Sequence, residues 1–284
     1  MTAAKAIDEA VSEATRQLNL VSDSARLEAE LLVARSINMP RSYLFAHPDD
    51  TLDESALARL EDSLERRIGG EPMAYITGVK EFWSLELMVS PATLVPRPET
   101  ELLVDLALRE IPRRADWQVL DLGTGSGAIA VAIASERRLC EVTATDASAG
   151  AVAIARQNVR QLELGNVTCL EGDWTKPVKG QLFDVIASNP PYVRDGDAAL
   201  ESLEAEPTVA LLGGTDGLDH YRRLAVDCKV IIKPGGLLLL EHGIDQQSAI
   251  VDMLAQHGWE HVQGHNDLSG GPRVVTARAP AGQL

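Results

Sequence analysis

From Trp117 to near the end of this 284-residue chain, short apolar runs alternate with segments of helical periodicity. Residues 119–122, 141–146, 167–170, 183–188, 237–241 and 273–279 read as strands. Between them, 128–135, 149–162, 218–232 and 246–257 place apolar residues at helical spacing. Parallel strands need long crossovers, so repeated strand–helix units imply an α/β fold with a parallel sheet and helices on both faces. Such sheets bind ligands outside the carboxyl ends of their strands. Candidate functional residues are therefore expected where each strand stops.

The rest of the chain divides simply. Residues 1–70 read as a small helical domain, with helices at 3–18, 24–37 and 52–68. Asp23 or Ser24, and Asp53, are candidate N-caps, and Gly69-Gly70 ends the third helix. No catalytic constellation is visible there. Residues 71–96 read as a β-hairpin linker, with strands at 75–78 and 85–89. Residues 97–284 form the large domain. Arg97-Pro98-Glu99-Thr100-Glu101 opens a helix over 102–110, since Pro and acidic residues suit a first turn.

Composition removes several functions. A formal net charge of −16 argues against sequence-independent or stable binding to nucleic acid, which rests on Lys and Arg meeting phosphates. Cys140, Cys169 and Cys228 stand singly, so neither a disulfide framework nor a zinc site is expected. No early apolar segment and no membrane-length window is present, which points to the cytoplasm. The absence of heptads or a long apolar stripe favours a monomer.

The first strand of the sheet runs into Asp121-Leu122-Gly123-Thr124-Gly125-Ser126-Gly127. Glycines let a backbone approach a ligand where a Cβ would clash. Asp146 ends the second strand about twenty residues on, where a carboxylate can accept from ribose hydroxyls. Asp173-Trp174 follows the third; the acid can accept from an adenine amino group and the indole can stack on the base. Gly123, Thr124, Gly125, Ser126, Gly127, Asp146, Asp173 and Trp174 are thus candidate contacts for S-adenosylmethionine. The competing readings are a merely tight turn, an Asp146 N-cap and a core Trp174.

Asn189-Pro190-Pro191-Tyr192 ends the fourth strand. Two prolines remove donors and stiffen the turn, a poor choice for stability alone. The tetrapeptide makes sense if a planar NH2 group must be held. Asn189 Oδ1 and the Pro190 carbonyl can accept its two protons, Tyr192 can cover its face, and Pro191 can hold the turn. Asn189 would also border the cofactor. Such a site suits methyl transfer to an amide or amino nitrogen, and no early base is needed because the proton becomes acidic once the methyl arrives.

Pro96-Arg97-Pro98-Glu99-Thr100-Glu101, the glycine loop, Asn189-Pro190-Pro191-Tyr192, and the segment Glu206-Pro207 through Gly213, Asp216-Gly217-Leu218 and Tyr221-Arg222 resemble one family. The chain is similar to the class I S-adenosylmethionine-dependent methyltransferases. Within them it is similar to the peptide chain release factor glutamine methyltransferase (HemK-like) family. The resemblance covers nearly the whole chain, more loosely in the N-terminal helices. It implies a Rossmann-like sheet and, as acceptor, the glutamine of the Gly-Gly-Gln motif in class 1 release factors. It also implies that the N-terminal helices help dock that protein.

Rival readings differ in what they leave unused. An adenine amino methyltransferase would use Asn189–Tyr192 on a flipped base, against the net charge. A nicotinamide-dependent oxidoreductase leaves the tetrapeptide without purpose, and an inactive binding module leaves both motifs without one. Among the remaining residues, Glu99 and Thr100 are expected to cap their helix rather than reach the cofactor. Arg97 awaits a carboxylate partner. His242 has no assigned role, and the acidic stretch from Asp195 to Glu206 reads as a solvated loop beside the site.

Overall fold

The computed structural model describes residues 5–282. The chain forms two compact units, Met1–Gly78 and Val79–Leu284.

The first unit runs β1 (Lys5–Ala6), α1 (Ile7–Leu18), α2 (Ala25–Ser36), α3 (Arg41–Ala46), β2 (Thr51–Leu52), α4 (Glu54–Ile68) and α5 (Met73–Thr77). α1 buries Ile7, Ala10, Val11, Ala14 and Leu18, one stripe at helical spacing. The Asp53 carboxylate caps α4 by accepting from Ala56 N at 2.7 Å. Ser24 holds the N-cap position of α2 without a side-chain bond. Buried Glu30 is neutralised from two sides, by Arg26 and Arg41, each at 2.7 Å. Residues 75–77, expected as strand, belong instead to helix α5. Pro72 sets its entry, Gly78 at φ 80° closes it with a hydrogen bond to Ala74 O, and Tyr75 and Ile76 are buried. The two ends override the strand preference of Tyr-Ile-Thr.

The second unit opens with a hairpin, β3 (Val79–Phe82) and β4 (Leu85–Met88). Its two-residue turn puts Trp83 at φ 53° and Ser84 at φ 56°, the twist that a tight hairpin requires. Glu101 holds that turn by accepting from Trp83 N at 2.8 Å. There follow α6 (Glu101–Glu110), β5 (Gln118–Leu122), α7 (Ala128–Glu136), β6 (Glu141–Asp146), α8 (Ala149–Gln161), β7 (Val167–Glu171), β8 (Phe183–Ser188), α9 (Asp219–Asp227), β9 (Ile232–Glu241), α10 (Gln247–Gln256), β10 (Glu260–Asn266) and β11 (Pro272–Arg278).

Seven strands form one sheet in the order β10-β11-β9-β8-β5-β6-β7. β7, β6, β5, β8 and β9 are parallel, whereas β11 and β10 run antiparallel at one edge. The wholly parallel expectation fails at that edge because β10, rich in polar residues and mostly exposed, carries too weak an apolar signal. Side chains alternate between two cores. Val119, Val185, Ala187, Leu237 and Leu239 pack toward α6 and α7. Leu120, Leu122, Ile186, Leu238 and Leu240 pack toward α9 and α10. α7 is buried from Ala128 through Ala134, which accounts for its apolar character on every face. Asn158, fully buried on α8, donates to Met88 O at 3.0 Å and Ser126 O at 2.8 Å and accepts from Met88 N at 2.7 Å. It fastens the hairpin to the glycine loop.

Candidate active site

From β5 the chain steps outward to β6 and β7 on one side, while β8 begins the steps to β9, β11 and β10 on the other. β5 and β8 lie side by side, with Leu122 opposite Ser188. The loops leaving them diverge, and a cleft opens at this reversal of strand order. A cavity of about 500 Å³ occupies it, within the size range of small-molecule sites. Among the sequence candidates, Gly123, Thr124, Gly125, Ser126, Asp146, Asp173, Trp174, Asn189 and Pro191 line it. Gly127, Pro190 and Tyr192 are not lining residues.

The glycine-loop side is built from backbone. Gly123, Gly125 and Gly127 have φ of 71°, 57° and 87°, in the left-handed region. A Cβ on Gly127 would meet Ala155 Cβ at 3.2 Å, so this glycine seats the loop on α8. Apart from its chain neighbours, no protein atom lies within 4 Å of a Cβ built on Gly125, which faces open space. Asp121 braces the loop from beneath. Its Oδ2 accepts from Thr124 Oγ1 at 2.5 Å and Ala130 N at 3.1 Å. Burial pushes its pKa up to about 7. Asp146 accepts from Gly125 N and Ser148 N, each at 2.9 Å, one per oxygen. A carboxylate has further lone pairs to offer a ligand. The N-cap of α8 is Ser148, not Asp146.

Trp174, at φ 50°, lies 3.4 Å from the Cβ position of Gly123 and stands 5.3 Å from the tilted His220 ring. Asp173 is held by Arg223 through two hydrogen bonds of 2.8 Å, and Lys176 lies at 2.8 Å. Those cations lower its pKa to about 2. His220 and Arg223 both line the cavity. The sequence reading missed them because α9 carries them more than 40 residues beyond Asp173.

The tetrapeptide side is built from buried side chains. Asn189 Nδ2 donates to Thr100 Oγ1 at 3.3 Å. Thr100 is buried, lines the cavity and makes no side-chain cap, so the expected capping role is corrected. Gln246, also buried, donates to Tyr192 O at 3.0 Å and Gly217 O at 3.2 Å. Gly213 and Gly217 pack against the tetrapeptide backbone. A Cβ on Gly213 would sit 2.8 Å from Pro191 O, and one on Gly217 would sit 2.5 Å from Tyr192 O. That contact explains Gly213 and Gly217, whereas a Cβ on Gly214 would instead meet the Asp219 carboxylate. The Tyr192 ring packs against the core beside α9 and α10, and burial raises its pKa.

Arg97 finds its partner in Glu206, which also accepts from Val95 N at 2.9 Å. Glu206 is buried, so the acidic stretch is solvated only up to its last residue. Within it, residues Ala198–Leu203 form a 3-10 turn whose start Asp197 caps. His242 is buried, with Nδ1 2.8 Å from Gly243 O, and burial lowers its pKa. The three cysteines are free and buried. Among the described residues no helix is long and apolar enough to cross a membrane, and no acid, His or Cys cluster could hold a metal.

Comparison with known proteins bears on both units. Residues 9–78 match the PrmC N-terminal domain, and residues 99–206 match the methyltransferase small domain. The release factor glutamine methyltransferase of Coxiella burnetii is 42% identical over 272 residues, 96% of this chain and 98% of that protein. The one from Escherichia coli is 40% identical over 268 residues, 94% of this chain and 96% of its own. A methyltransferase structure from Pyrococcus furiosus superposes with a TM-score of 0.54 at 20% identity, over 78% of this chain and 99% of that one, a likeness of fold. Matched along nearly its whole length to proteins that share both units, the chain belongs to the release factor glutamine methyltransferase family.

Proposed function

We propose that this protein methylates the side-chain amide nitrogen of the glutamine in the Gly-Gly-Gln motif of class 1 peptide chain release factors. The observation that carries the reading is Asn189. It stands at the switch point of the sheet with Nδ2 turned to Thr100, which leaves Oδ1 on the other side of a planar amide. The class I methyltransferase cofactor, S-adenosylmethionine, fits the other half of the cavity. The open Cβ space at Gly125 admits a ligand against the backbone, Asp146 keeps lone pairs for ribose hydroxyls, and Trp174 offers an aromatic face. Asp173 is committed to Arg223, so a role toward adenine rests on its remaining lone pairs or on the backbone after it.

An amide nitrogen is a weak nucleophile because its lone pair is delocalised into the carbonyl. The bound cofactor supplies an electrophilic methyl group on a sulfonium. Asn189 Oδ1 and the Pro190 carbonyl accept the two amide protons and aim the developing lone pair. Pro191 keeps the turn rigid, and Tyr192 supports the amide plane from the core side. Fixed acceptors of this kind contribute through alignment and through hydrogen bonds that need no reorganisation. The proton of the methylated nitrogen is then acidic enough to pass to water.

We assign the N-terminal helical unit, which matches the PrmC N-terminal domain, to docking the protein acceptor. We propose that the enzyme acts on this acceptor in the cytoplasm, as a monomer. The deciding experiment is transfer of labelled methyl from S-adenosylmethionine to a purified release factor, with the Gly-Gly-Gln glutamine changed to alanine as control. Label that disappears in the control supports the reading. Label on DNA or RNA instead would replace it with an adenine amino methyltransferase.

A further inference from the structure

The run Leu237–Leu240 ends in Glu241, which is 1% exposed. A fifth leucine there would carry no desolvation cost, whereas a carboxylate placed inside the protein is unfavourable unless its oxygens are used. The register of the sheet shows the use. β8 and β9 are parallel with Ser188 opposite Leu240, so the next residues along, Asn189 and Glu241, leave neighbouring strands together. Thr100 completes the group, accepting from Asn189 Nδ2 at 3.3 Å. Thr100 and Asn189 both stand at the Glu241 carboxyl, and each opposes the rise of its pKa. Its Oε2 is buried without a hydrogen-bond partner. The strand end itself is pinned, because Tyr221 donates its hydroxyl to Glu241 O at 2.7 Å.

An asparagine amide can be turned either way by its surroundings, since oxygen and nitrogen are the same size. A carboxylate can only accept. We propose that Glu241 is a positioning residue: by accepting from the Asn189 NH2 group and the Thr100 hydroxyl, it forces Asn189 Oδ1 toward the acceptor amide. The proposal rests on the reading of Asn189 given above. A protonated Glu241 would itself donate and would remove this preference.

Burial is the main influence on the Glu241 pKa, which it pushes up to about 7. The other groups facing the carboxyl are Arg273 on β11, which lowers the value, and Glu99, which raises it. Tyr192 and Tyr221 stand close by, both with raised pKa and so neutral near pH 7. Glu241 is therefore the group in this cluster whose charge changes near neutrality.

Glu241→Gln is nearly isosteric, and its NH2 can donate to Asn189 Oδ1 and reverse the amide. With a release factor as acceptor we expect kcat to fall by about tenfold to a hundredfold, while cofactor affinity stays within about threefold. The wild-type kcat should rise with pH through neutrality, and Glu241→Gln should lose that limb. Since Glu241 acts through Asn189, the double variant with Asn189→Ala should be no slower than Asn189→Ala alone; a merely structural role would multiply the losses. Unchanged kcat in Glu241→Gln, or multiplied losses, overturns the proposal. A second readout does not depend on the acceptor. In ¹⁵N-labelled protein the Asn189 side-chain NH2 resonances, identified by their loss in Asn189→Ala, should titrate near pH 7 in the wild type and not in Glu241→Gln. If no release factor is methylated, the acceptor reading fails, and these resonances still decide the role of Glu241. If Glu241→Gln does not fold, a wild-type pair indifferent to pH is sufficient to reject it.

Discussion

The two sides of the cavity are made by opposite means. On the glycine-loop side, contiguous residues do nearly everything. Three glycines at positive φ carry the backbone past the cavity, and Asp121 and Asp146 hold it in place. On the tetrapeptide side almost nothing is contiguous. Asn189 is held by Thr100 beside the buried Glu241, the Tyr192 carbonyl by Gln246, and the turn by the bare backbone at Gly213 and Gly217. The difference follows from the two tasks. A cofactor is held by many modest contacts, so a loop that lets it come close suffices. A weak nucleophile must be aligned by one or two polar atoms, so those atoms need buried support.

The contrast can be broken most directly at Asn189. Asn189→Ala should lower kcat by about a hundredfold or more, with a much smaller change in cofactor affinity. Isothermal titration and single-turnover transfer measure the two parts, and turnover equal to wild type would sink the acceptor mechanism. Gly213→Ala comes next. Its Cβ has 2.8 Å to Pro191 O and must displace the turn. We expect a loss of roughly tenfold to a hundredfold in kcat, since small misplacements of aligned groups are costly. A kcat near wild type would show that the turn tolerates displacement.

Gly125→Ala sharpens the other side. The protein leaves room for the Cβ, so the cost is the left-handed backbone and the ligand surface that meets it, about 1–2 kcal/mol. Cofactor affinity should fall roughly tenfold while kcat at saturating cofactor changes little. A kcat loss without an affinity loss would erase the distinction between the two sides.

The smallest effect is in stability against pH. Asp121 and Glu241 both have folded pKa values raised to about 7. Groups raised in this way stabilise the fold fully below their unfolded pKa, near 4, and lose that contribution as pH rises to 7. Asp173 has the reverse shift, to about 2, and its contribution is present above about pH 4 and lost as pH falls toward 2. Unfolding free energies from urea titrations between pH 5 and 7.5 should therefore decline less in Glu241→Gln than in the wild type. Parallel curves would refute the shift.

The same contrast explains what could be read in the sequence. The alternating pattern predicts the parallel strands and the helices around them because buried strands and amphipathic helices leave strong periodic signals. It fails at Met73–Thr77, where Pro72 and Gly78 impose a helix, and at β10, whose residues are mostly polar. The glycine loop and Asp146 are legible because each lies at the end of a visible strand. Asn189 is legible for the same reason, but its supports are not. Thr100 looks like a cap, Glu241 like the polar end of an apolar run, and Arg97 like a cation with no partner. Each is explained by a residue between 50 and 110 positions away, a distance that local pattern does not span. Arg223, by binding Asp173, redirects a carboxylate that the sequence offered to adenine.

The ion pair between Arg97 and Glu206 has a further consequence. Glu206 clamps one end of the acidic stretch, and the hydrogen bond from Val193 N to Leu211 O clamps the other. Pro207, Val209 and Ala210, just beyond Glu206, reach the cavity wall. The residues between the clamps are exposed or half-exposed and bear no weight for the cavity. Lengthening a loop whose ends are fixed is cheap, about 0.6 kcal/mol for each doubling. Insertions between Asp195 and Leu203 can thus be spliced in with the chemistry left intact, which makes this span a natural place to graft a new recognition sequence and retarget the enzyme to a different protein.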